Sequence, residues 1–109
     1  MSDYVLVVVT APDEDVAAGI AKTVVEERLA GCVNIIKGVR SIYSWEGRIE
    51  DEPEVVMLIK TRQNLYKSLE RRIIDLHPYS VPEVICIELK DGSDSYFKWL
   101  KEVTATIIG

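Results

Sequence analysis

From Tyr4 to Thr10 the chain reads Tyr-Val-Leu-Val-Val-Val-Thr, an almost unbroken β-branched and apolar run. Such a run predicts a strand covered on both faces or buried at an interface. Ala11-Pro12-Asp13 breaks it, and the period then changes: Val16, Ile20 and Val24 recur at i, i+4 with Ala17, Ala21 and Val25 beside them. That spacing predicts a helix to about Ala30. Asp13 suits the N-cap, Glu14 and Asp15 suit the positive end of the helix dipole, and Gly31 is placed to close the helix in a left-handed turn.

Two β-rich pieces follow, Cys32 to Ile36 and Val39 to Trp45. Lys37-Gly38 between them allows a bulge within one long strand. In the second piece Ser41, Tyr43 and Trp45 share a face. Glu46-Gly47 is a hairpin signal, and a third strand is expected from Glu54 to Thr61, after the acidic run Glu50-Asp51-Glu52 and Pro53, pairing antiparallel with the second. Between Asn64 and Leu76, Leu65, Leu69, Ile73 and Leu76 fall on one helical face. His77-Pro78-Tyr79-Ser80-Val81-Pro82 reads as a loop, because proline cannot donate a backbone hydrogen bond and restricts the residue before it. A fourth strand from about Glu83 to Leu89, a turn at Asp91-Gly92-Ser93 and a short helix from Ser95 to Val103 complete the pattern.

The order β-α-β-β-α-β plus a terminal helix predicts an α+β split-βαβ domain: a four-stranded antiparallel sheet with helices on one face. The second face still reads as apolar, and a bare patch of that size implies covering by other subunits. With no internal repeat or linker, residues 1–109 are read as a single domain.

Charge narrows the partners. Lys and Arg number 13 against 18 Asp and Glu, a net charge of −5, which argues against nucleic acid. Apolar runs such as Val5 to Val9 fall far short of the roughly 20 residues that cross a bilayer, and Met1-Ser2-Asp3-Tyr4 lacks a basic leader, so a cytoplasmic protein without membrane contact is expected. Cys32 and Cys86 are too far apart for a metal knuckle or a redox pair and read as reduced, buried small hydrophobes.

Candidate chemistry is sparse. His77 is the sole histidine, and one His with two distant Cys cannot supply the three or four ligands of a transition-metal centre within one chain. Any metal site using His77 is therefore weak or shared, and packing of the ring within its loop is the plainer reading. The acidic cluster Glu50, Asp51, Glu52 and Glu54 could hold a hard cation loosely, but it lacks calcium-loop spacing and reads mainly as a solvated hairpin face. Tyr43, Trp45, Lys60, Tyr79 and Trp99 could line a ligand cleft, although core or interface packing explains the aromatics as well. No Gly-x-Ser-x-Gly elbow or phosphate loop is present, so an enzyme is not expected.

Six blocks occur in order: Thr10-Ala11-Pro12-Asp13-Glu14, Glu27 to Asn34, Ser41 to Gly47, Ile59-Lys60-Thr61, His77 to Glu83, and Tyr96 to Leu100. Together they resemble the CutA divalent-cation-tolerance family along essentially the whole chain. The resemblance implies a ferredoxin-like fold similar to PII signalling proteins, assembled as a homotrimer through edge strands and a swapped long hairpin. It also implies a link to tolerance of divalent metals, copper above all, with no cofactor required beyond a weakly held Cu²⁺ or other divalent cation. The copper site proposed in that family uses a Cys late in the first strand and two His before Pro-Tyr. Here those positions are Val9, Leu76 and His77, so only His77 remains. The expected function is thus a non-enzymatic metal-response homotrimer with an inter-subunit cleft. The alternative is a PII-like sensor of a small anionic metabolite, with Lys60 and Arg40 or Arg62 pairing with the ligand.

Overall fold

The computed structural model describes residues 3–105. Its elements run β1 (Tyr4–Ala11), α1 (Glu14–Glu26), β2 (Cys32–Trp45), β3 (Arg48–Arg62), a 3-10 turn (Gln63–Leu65), α2 (Tyr66–Leu76), β4 (Val84–Glu88) and α3 (Asp94–Val103). The strands form one antiparallel sheet in the order β2-β3-β1-β4. The predicted order of elements is therefore the observed one.

Alternation sets the two faces. Val5, Val7, Val9 and Ala11 on β1 and Val55, Met57 and Ile59 on β3 are buried against Ala17, Ile20 and Val24 of α1 and Leu69 and Ile73 of α2. The opposite face carries Leu6, Val8, Leu58 and the half-exposed Ile36, Ile85 and Ile87. Burying each such aliphatic side chain is worth about 1.5–3 kcal/mol, so the helix-covered face supplies the core while the other retains unused apolar surface.

Helix α3 packs at one end of that second face. Tyr4 stacks on Phe97 with ring centroids 4.3 Å apart, and Arg62 reaches Thr104 and the Ala105 carbonyl. The α1 terminus holds it there. Arg28, not Gly31, takes the left-handed position, with φ 61°, and the Arg28 and Leu29 amides bond back to Val25 and Val24. A Cβ-bearing residue is tolerated because its guanidinium donates to the Glu102, Val103 and Thr104 carbonyls, satisfying the open end of α3. Gly31 serves close packing instead: a Cβ there would lie 2.4 Å from Leu100 Cδ1 and 3.0 Å from Val103 Cγ2.

Strand β3 runs through the acidic segment rather than beginning at Glu54. Pro53 is accommodated because β1 pairing ends at Ala11 with Val55, so one edge of β3 is open at that point. Across the bulge between Ile36 and Val39, Lys37 and Gly38 together stand opposite Val55, and Gly38 has φ 78°. The hairpin closes at Glu46 and Gly47, whose φ values of 50° and 78° both lie in the left-handed region that a two-residue turn needs.

Candidate functional site

The bulge decides which hairpin residues meet the sheet. Ile36 pairs with Val56 before it; after it Val39, Ser41, Tyr43 and Trp45 pair with Glu54, Glu52, Glu50 and Arg48. Paired residues share a face, so the extra residue brings the odd-numbered aromatics of β2 onto the side that Ile36 and Val56 occupy. At this end of the sheet the loop after α2 folds over Thr10. The His77 ring is buried: its Nε2–H donates to the Thr10 carbonyl at 2.8 Å, its Nδ1 accepts the Tyr79 amide at 3.1 Å, and it packs against the Tyr79 ring at 4.7 Å. Both nitrogens are committed within the chain, which leaves no lone pair for a metal unless one of these bonds is released.

Thus held, Tyr79 donates its hydroxyl to Glu54 Oε2 at 2.8 Å. Tyr43, Trp45, Tyr79, Glu54 and Glu83 then line a cleft of about 550 Å³, with Thr10, Ser41, Ile42, Ser80 and Val81 completing the wall. No Lys or Arg lines it. Glu54 is only 9% exposed and has no ion pair among the described residues. Burial, followed by the Glu54 hydrogen bond and charge, pushes the Tyr79 phenol well above its ordinary range. The Tyr43 phenol is also raised, first by partial desolvation of its ring and then by the charges of Glu50, Glu54 and Glu52. The cleft is acidic and aromatic.

Lys60 and Trp99 lie elsewhere. Lys60 is six residues from Glu54 along β3, about 20 Å at the rise of a strand. Its ammonium bonds to Asn34 Oδ1 and sits 3.9 Å from Cys32 Sγ. Trp99 packs on Tyr96 at 5.5 Å within α3. Cys32 and Cys86 are free but only partly buried, because both strands that carry them are sheet edges. Among the described residues no group of three or more His, Cys, Asp and Glu is arranged to hold a metal ion.

The basic residues expected to meet an anion are already engaged. Arg40 makes a two-pronged contact with Asp51 at 2.8 and 2.6 Å, and Arg62 is spent on Thr104 and Ala105. An acidic cleft and occupied arginines do not favour the PII-like anion reading. Glu54, meanwhile, lines the cleft although the acidic cluster it belongs to reads mainly as a solvated hairpin face; Glu83 and Thr10 line it too and carried no signal as cleft residues in the sequence. The available signal was parity: Glu54 stands two positions from Glu52 and from Val56, on the face opposite the buried Val55.

The family model for the CutA1 divalent ion tolerance protein matches residues 5–103. The chain belongs to the CutA1 family. The divalent-cation tolerance protein CutA of Thermus thermophilus is 44% identical over 99 residues, covering 91% of this chain and 96% of that protein. Human Protein CutA is 46% identical over 99 residues, and this chain spans 55% of its length. The solved structure of the Thermus thermophilus divalent cation tolerance protein superposes with a TM-score of 0.90 at 43% identity, covering 94% of this chain and 99% of that one. The α+β architecture of this CutA1 family member is thus that of its relatives, and no described helix is long and apolar enough to cross a membrane.

Proposed function

We propose that this CutA1 family member takes part in the response to divalent metal ions, copper among them, as a non-enzymatic homotrimer in a reducing, cytoplasmic setting. The observation that carries the reading is the largely buried Glu54 carboxylate, bonded on one oxygen by the Tyr79 hydroxyl, in a cleft without a basic side chain, on a chain whose relatives bear the name divalent-cation tolerance. Such a cleft attracts cations. The apolar face bearing Ile36, Ile85 and Ile87 supports assembly, since exposed patches of this kind mark interfaces. Catalysis is not part of the reading: the cleft pairs no nucleophile with a base, and His77 is tied to Thr10 and Tyr79. Copper is held weakly, by cleft oxygens with at most a partial share from His77.

Sedimentation equilibrium followed by calorimetric titration with Cu²⁺ tests both parts. The expected result is a species three times the 12.3 kDa chain mass that takes up Cu²⁺ reversibly and shows no turnover. A monomer, or a trimer that ignores Cu²⁺, overturns the corresponding half.

A further inference from the structure

We propose that the natural occupant of the Glu54 cleft is an organic cation, a primary ammonium or guanidinium on an apolar stem, whose head meets Glu54 and whose stem lies along Tyr43 and Trp45. The inference rests on the reading of this cleft as a ligand site and goes on to name the ligand's chemistry.

Three observations carry it. A carboxylate only 9% exposed costs free energy unless a cation or several donors compensate it. Glu54 has one donor, the Tyr79 hydroxyl on Oε2, while Oε1 takes no hydrogen bond from the described residues and is open to solvent, free to meet a ligand. Next, the walls beside it are aromatic, with Tyr43 41% and Trp45 39% exposed in the single chain, and aromatic faces attract ammonium and guanidinium groups whether the cleft is bounded by one subunit or by two. Finally, about 550 Å³ is far more room than a bare metal ion fills, and no trio of metal ligands surrounds it among the described residues. A bare divalent ion would use the charge and waste the rings; an organic cation uses both. The exposed Glu83 also lines the cleft and adds a second carboxylate.

Calorimetric titration with n-butylammonium and n-butylguanidinium tests this, with 1-butanol as the uncharged control on the native protein. Saturable binding of either cation and none of the alcohol is expected. Glu54→Gln should weaken it about tenfold or more, as removal of one partner of a buried charge pair does. Trp45→Ala should weaken it about two- to fivefold, the share of an exposed cation–π contact. No binding to the native protein, equal uptake of the alcohol, or undiminished binding by a folded Glu54→Gln variant overturns the proposal. A parallel Cu²⁺ titration separates the two readings: copper without organic cation sinks this inference alone, and organic cation without copper sinks the metal reading alone.

Discussion

Leu100→Ala is expected to lower the unfolding free energy by about 2–5 kcal/mol, the cost of truncating a fully buried leucine. Leu100 is the residue by which α3 grips the start of β2, directly over Gly31. The reverse change, Gly31→Ala, pushes a methyl group against Leu100 and Val103 and should cost about 1–3 kcal/mol by overpacking. The two defects are complementary in shape, so the double variant should be more stable than the sum predicts, with a coupling of about 0.5–3 kcal/mol. Urea unfolding of the four proteins measures this. Strict additivity would mean that Gly31 does not make way for α3.

His77→Ala should destabilise the protein even when it is stripped of metal, by on the order of 2–3 kcal/mol. The change removes a buried ring and leaves the Thr10 carbonyl and Tyr79 amide without their partner. It should also free Tyr79, and with it Glu54, so that cation binding in the cleft weakens although His77 does not line the cavity. A histidine serving only as a metal ligand would behave in the opposite way, leaving metal-free stability intact. Chelator-treated native and variant proteins compared by urea unfolding distinguish the two roles.

The fold was legible because each signal is local. The Tyr4–Ala11 run, the i, i+4 spacing of α1, Gly38 at the bulge and Glu46-Gly47 at the turn all state their structure within a few residues. The end of α1 was not, since Arg28 adopts a left-handed conformation only because α3, some 75 residues away, offers carbonyls to its side chain. The site was half legible for a related reason. Within one chain Tyr43, Trp45 and Tyr79 line one cleft, while Lys60 lies about 20 Å along β3 from Glu54 and Trp99 sits on α3. Glu54 was hidden inside an acidic run whose other members are exposed or half-exposed; its burial depends on Tyr79, which is brought across by the His77 loop.

On the proposed function, cations enter at the Glu54 cleft. Cu²⁺ is paramagnetic and broadens the signals of nearby nuclei, so adding it in small steps to ¹⁵N-labelled protein maps where it goes. Amide signals of Ser41 to Trp45, Glu54, Tyr79 to Val81 and Glu83 are expected to fade first, while those of Cys32, Lys60 and Tyr96 persist. Early loss centred on Cys32 and Lys60, or no selective loss at all, would contradict it.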